Sequence, residues 1–81
     1  MENGKNRKEQ KKFLEQQLEW CKEQDRILEE IDSKLRKMKR IAEYSLVNEL
    51  SSKEVDELNA QLNELKNEVH SLEKQLQSVV H

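Results

Sequence analysis

The chain has 81 residues, a net charge of −2, 40% charged and 33% hydrophobic side chains, one glycine and no proline. This length permits one domain at most, and the near-absence of the two residues that build tight turns argues against a β-sheet fold or a catalytic domain. The apolar content is too low for a closed globular core. It is sufficient for the narrow seam of a coiled coil, so the composition predicts an all-α protein.

The chain begins with polar residues, and we predict a disordered polar N-terminal tail over 1–8. Residues 9–81 form a single helical-hairpin domain in this interpretation, with a first helix over 9–47. Apolar residues recur along that helix at alternating steps of three and four, the spacing of a coiled-coil seam. The predicted seam residues of the first helix are Leu28, Ile31, Leu35, Met38 and Ala42.

A turn is predicted over 48–51. Asn48 can end the first helix, because asparagine tolerates the left-handed backbone conformation found at helix ends. Ser51 followed by Glu54 matches the capping box that opens a helix. The second helix is therefore expected over 52–79.

The second helix has the more regular repeat, again with alternating steps of three and four. Each of its seam positions pairs with a position of the first helix so that the two residue numbers add to the same value, as an antiparallel hairpin requires. Val55 pairs with Ser45, and the other five pair with the seam residues of the first helix. This hairpin would bring Lys34 close to Glu68. A parallel homodimer through the second helix is the alternative, and it would place Glu68 against Glu73 of the other chain. The predicted seam residues here are Val55, Leu58, Leu62, Leu65, Val69 and Leu72.

The first helix carries apolar residues that an antiparallel partner helix cannot cover. Some lie beyond the reach of the second helix, and others flank the seam. We predict a face for a partner or for oligomerisation at Phe13, Leu14, Leu18, Trp20, Ile27 and Ile41. Dimerisation of two hairpins into a four-helix bundle would cover this face. The alternatives are a helix of another protein, or simple exposure beneath long polar side chains.

The sequence predicts no catalytic, metal-binding or cofactor-binding residues, so the chain is not expected to be an enzyme. His70 should face solvent and has no further ligands at metal-binding spacing. Cys21 has no intrachain partner, and a small seam residue is favoured over a reactive thiol. Arg36, Lys37 and Arg40 form a basic group best explained as a solvated helix face, so nucleic acid is not an expected partner.

The chain contains no long apolar run and no signal-peptide core at its start, which predicts a cytoplasmic protein without a membrane segment. The single cysteine fits a reducing compartment.

The stretch 28–72 resembles the N-terminal helical hairpin of bacterial flagellins. In that family a leucine-rich helix leads through a polar turn into a second helix. The resemblance implies a similar hairpin and, as one alternative function, a structural or assembly role. The matching residues are Leu35, Met38, Ile41, Ala42, Leu58, Leu62, Leu65, Glu68, Val69 and Leu72.

The second helix also resembles the small aspartyl-phosphate phosphatases of sporulating bacteria, which are helical hairpins of similar length. The matching residues are Ser52, Glu54, Val55, Leu58, Leu62, Glu64, Leu65, Asn67 and Glu68. That family's Ser-Gln-Glu-Leu-Asp signature falls on residues 59–63, where only Leu62 is kept and Asn63 replaces the acidic residue. The resemblance implies binding to a response regulator as an alternative function.

The leading expectation is a small, non-enzymatic bacterial coiled-coil protein. It would act through helix-mediated self-association and protein–protein interaction, with a regulatory role as one form of that activity.

Overall fold

The computed structural model describes the backbone of residues 3–79 and the side chains of residues 6–76. Two α-helices make up nearly all of this range: α1 spans Asn3–Val47 and α2 spans Ser52–Val79. The described backbone contains no strand. The two helices pack against each other in a rod with extents of 76 × 19 × 12 Å. The prediction of an all-α helical hairpin is confirmed.

The N-terminal end of α1 differs from the prediction. A disordered tail is predicted over 1–8, but α1 already begins at Asn3. Lys5, Arg7 and Lys8 are good helix formers, although Asn3, Gly4 and Asn6 are not, and the Glu, Gln and Lys residues at 9–12 continue the same helix. No proline interrupts it. Met1, Glu2, Val80 and His81 lie outside the described residues. Elsewhere the predicted helix bounds, 47 and 52–79, are those of the structure.

A capping box opens α2, as predicted. The Ser51 hydroxyl accepts a hydrogen bond from the Glu54 backbone N–H at 3.2 Å. In return, Glu54 Oε1 accepts hydrogen bonds from the backbone N–H and the hydroxyl of Ser51, at 3.5 and 3.2 Å. Donors at the start of a helix have no partner within it, so this exchange fixes where α2 begins.

Asn48 caps the C-terminal end of α1 in a different way from the one predicted. No described residue has a positive φ, so the left-handed ending at Asn48 is wrong. The Asn48 side-chain amide instead donates to the Tyr44 carbonyl at 2.8 Å, and its backbone N–H approaches the same oxygen at 3.2 Å. The Tyr44 carbonyl therefore accepts two hydrogen bonds from Asn48, the residue that follows the end of α1.

Ser51→Ala is expected to lower the free energy of unfolding by about 1 kcal/mol, because the first turn of α2 loses its capping oxygen. Urea denaturation at a fixed protein concentration measures this loss. Ser52→Ala, one residue further on, is the matched control and should change stability much less. Equal effects of the two substitutions would contradict the capping role of Ser51.

The best-buried part of the hairpin lies far from the turn. Among the described hydrophobic side chains, only those of Ile27, Val69 and Leu72 are buried, with 1%, 6% and 7% of their surface exposed. About 30 Å of helix separates Ile27 from the end of α1, and about the same length separates Leu72 from the start of α2. The two residues therefore stand at the same level of the antiparallel pair, and the core is centred there.

The side of α1 that faces α2 is a line of buried or half-buried residues, which we call the covered line. It consists of Gln24, Ile27, Ile31, Lys34, Met38 and Ile41. The predicted seam shares only Ile31 and Met38 with it. Consecutive residues of a helix lie about 100° apart, and α1 is turned by about half that angle from its predicted orientation.

Several predicted positions are corrected by this rotation. Leu28 and Leu35, predicted in the seam, are 51% and 49% exposed, and Ala42 is also exposed. Ile27 and Ile41, predicted on the partner face, lie in the covered line instead. The rotation places two β-branched isoleucines against α2. It also allows Lys34, between them, to bury its stem while its ammonium group stays at the edge.

On α2 the predicted seam matches the burial pattern except at its first residue. Val69 and Leu72 are buried, and Leu58, Leu62 and Leu65 are half-buried. Val55 is 40% exposed, because the helices have only just met beside the turn. It lines a shallow groove there together with Leu50 and Leu58.

Candidate interaction surface

α1 extends well beyond the end of α2. It has 45 residues and α2 has 28, so about 25 Å of α1 has no part of α2 beside it. We call residues 3–20 the overhang. Burial agrees with this division, since every described side chain from Asn6 to Glu23 is exposed and the first buried residue is Gln24.

Large apolar side chains lie on the overhang. Phe13, Leu14 and Leu18 are 58%, 64% and 55% exposed. Trp20, at the boundary with the hairpin, is 37% exposed. Phe13 and Trp20 precede Ile27 by multiples of seven residues, so they continue the covered line beyond the point where α2 ends. These four members of the predicted partner face are accessible at the surface.

Charge is distributed in blocks along the same part of α1. Residues 6–12 contain four cations and one carboxylate, whereas residues 15–30 contain six carboxylates and two cations. Within residues 6–76, the ion pairs along α1 begin at Glu19. Arg26 contacts both Glu23 and Glu30 at 2.6 Å. The hydrogen bond from Arg26, together with its charge, lowers the pKa of the exposed Glu23 carboxyl.

A second set of exposed apolar residues follows α1 outside the overhang. Leu28, Leu35 and Ala42 recur every seven residues beside the covered line. The part of α2 on the same face carries Asn59, Lys66 and Glu73, which are exposed. This apolar stripe is therefore one residue wide and bordered by polar groups on the α2 side.

The opposite face of the hairpin has a groove between the helices, and it is of mixed charge. Its α1 wall includes Lys34, Lys37 and Arg40, and its α2 wall includes Glu64 and Glu68. Lys34 Nζ lies 3.0 Å from Glu68 Oε2, so the expected approach of these two residues is confirmed. Cations facing carboxylates largely neutralise each other, and the groove is suited to holding the helices together rather than to binding an anion.

The amount of exposed surface is large for a chain of this mass. The accessible surface is 7049 Å², whereas a compact monomer of 9.7 kDa is expected to expose about 5,100 Å². The excess is greater than the roughly 800 Å² that each partner buries in a standard protein–protein interface. Association could therefore cover much surface without any change of fold.

Two further features, a cluster of metal ligands and a membrane-spanning helix, are absent from the described residues. These residues contain no group of three or more potential metal ligands close together. Within the same range, neither helix has a stretch that is both long enough and apolar enough to cross a bilayer. Cys21 is exposed and carries a free thiol, so it is not the buried seam residue that the sequence favours.

Comparison of the chain with protein-family models, with curated proteins and with solved structures gave no significant match. The resemblances to flagellin and to the sporulation phosphatases therefore stay predictions.

Proposed function

We propose that this protein is a helix-mediated association module, which acts by binding another helix along α1 rather than by catalysis. The observation that supports this proposal is the overhang, the part of α1 that extends beyond the described end of α2, where Phe13, Leu14 and Leu18 are each more than half exposed. Monomeric soluble proteins rarely leave clustered apolar surface open to water, and such patches commonly mark contact sites.

The limited core of the hairpin also favours association. The hairpin has three buried hydrophobic side chains within residues 6–76, which is little apolar burial to offset the entropy lost on ordering its long helices. A partner that buries the overhang would increase the apolar burial and so help to offset this loss of entropy. A second copy of the chain is the partner we propose, since it brings the same unsatisfied apolar surface.

The overhang is preferred to the stripe at Leu28 and Leu35 as the contact. In the overhang the apolar side chains cover a wider part of the helix circumference, and a partner helix meets α2 only near the end of α2. Beside Leu28 and Leu35, an approaching helix would also meet the polar residues of α2, including Lys66 and Glu73. For that reason we propose a contact between two α1 helices, whereas the predicted four-helix bundle would involve all four helices.

The double substitution Leu14→Glu with Leu18→Glu is expected to convert the associated protein to monomer. It places four carboxylates in the shared contact, and burial of unpaired charge is strongly unfavourable. Light scattering over a micromolar concentration series measures the mass. Circular dichroism checks that the helices persist, which is expected because glutamate is a good helix former.

Leu28→Glu with Leu35→Glu is the matched control, since it makes the same chemical change at similarly exposed positions of the same helix. It should leave the associated mass unchanged. A monomeric native protein at all concentrations would overturn self-association. Dissociation by the control pair alone would show that the stripe at Leu28 and Leu35, and not the overhang, is the contact.

A further inference from the structure

We propose that two copies pair through their overhangs in antiparallel orientation, with the centre of the contact between Phe13 and Leu18. This inference rests on the proposed self-association and adds its orientation and register. The partner's overhang would lie beside α1 where α2 ends, and it would cover Phe13, Leu14 and Leu18 in each copy.

The distribution of charge supports the antiparallel orientation. With a centre close to residue 15 or 16, residues 6–12 of one copy lie beside residues 19–25 of the other. The first segment contains four cations and one carboxylate, and the second contains three carboxylates and one cation. Opposite charges therefore meet on both sides of the two-fold axis, which favours this register over competing ones.

A parallel, in-register pair would place like charges opposite each other. Residues 6–12 would meet their own copies, so that Arg7, Lys8, Lys11 and Lys12 would face the same four cations. The acidic segment 15–30 would likewise meet its own copy. Like charges in direct opposition destabilise an interface and select against that arrangement.

The two orientations make different predictions for the exposed thiol of Cys21. In a parallel pair the two Cys21 residues are directly opposite each other. In the antiparallel pair they are separated by about 16 Å along the axis, which is beyond the roughly 7 Å between Cα atoms that a disulfide can bridge. Cys21 instead lies opposite Gln10 or Lys11 of the other copy.

Oxidation with a glutathione redox buffer tests this geometry on the full chain. The native protein should form little disulfide-linked dimer. Gln10→Cys or Lys11→Cys should form it readily, through a bond between the new thiol and Cys21 of the other copy. Residues 10 and 21 of one helix are about 16 Å apart, so this bond cannot form within a chain. Lys37→Cys, an exposed lysine away from the contact, is the matched control.

The outcomes separate the orientation of the pair from self-association itself. Efficient linkage of native chains through Cys21 would establish the parallel pair and overturn the antiparallel one, while self-association would stand. No linkage by either the residue-10 or the residue-11 cysteine, in a protein that scattering shows to be dimeric, would also overturn the antiparallel register. A monomeric native protein would overturn both proposals.

Charge reversal gives an independent readout. Lys8→Glu with Lys12→Glu should weaken dimerisation by about tenfold, since four exposed contacts become repulsive in the symmetric pair. Added salt should weaken the native dimer and strengthen this variant. Lys37→Glu with Lys66→Glu makes the same change of charge on the hairpin and should leave the dimerisation constant unaltered. Equal effects of the two pairs would contradict the proposed register.

Discussion

Ile27→Ala is expected to lower the free energy of unfolding by about 3 kcal/mol. Ile27 has 1% of its surface exposed and is the most buried side chain described. Its truncation removes apolar contacts at the best-packed level of the hairpin and leaves a cavity that α1 and α2 can only partly close. Thermal or urea denaturation at a fixed protein concentration measures the loss.

Leu28→Ala is the matched control for this experiment. Leu28 is the next residue of the same helix and is 51% exposed, so the substitution should cost well under 1 kcal/mol. The comparison distinguishes two orientations of α1, because Leu28 belongs to the seam that the heptad spacing predicts and Ile27 to the covered line. A larger loss for Leu28→Ala than for Ile27→Ala would show that the predicted orientation is right.

Gln24→Leu is expected to stabilise the hairpin by about 2 kcal/mol. Gln24 is 9% exposed, and its Nε2 is buried with no hydrogen-bond acceptor among the described residues. A buried donor without a partner retains the cost of losing its water. Leucine removes that donor and adds apolar contact at the level next to Ile27. The midpoint of urea denaturation should therefore rise without a change in slope.

Gln61→Leu is the control for Gln24→Leu, since Gln61 is exposed on α2. The same gain of an apolar side chain should have little effect on stability there. An unchanged or lower midpoint for Gln24→Leu would mean that the Gln24 amide is satisfied in solution. A change of mass in the Gln24→Leu protein would point to a second role, in which this polar residue selects one pairing of helices over others.

The hairpin itself could be predicted from the sequence because its signals are local. The capping box at Ser51 and Glu54 marks the start of α2, and the regular repeat from Leu58 to Leu72 identifies the side of α2 that is buried. These features depend on chemistry within a few residues. They require no knowledge of how the helices are rotated against each other.

The rotation of α1 could not be predicted in the same way. The predicted seam and the covered line of α1 both have the spacing of a coiled coil. They share every second position, and at the positions between these they differ by one residue. The heptad spacing favours Leu35 because it is apolar, whereas the structure places Lys34 in the covered line. A lysine is accepted there because its ammonium group reaches the edge of the contact, where Glu68 Oε2 lies 3.0 Å away. That choice depends on both helices together, and a pattern read from α1 alone does not contain it.

The rod shape has a consequence for how the protein will behave in solution. Its radius of gyration is 21.0 Å, whereas a compact chain of 81 residues would have about 12 Å. An elongated particle experiences more friction than a sphere of equal mass. A single copy will therefore elute from a gel-filtration column ahead of globular standards of its own mass. An early elution volume will not by itself give the number of chains in the particle.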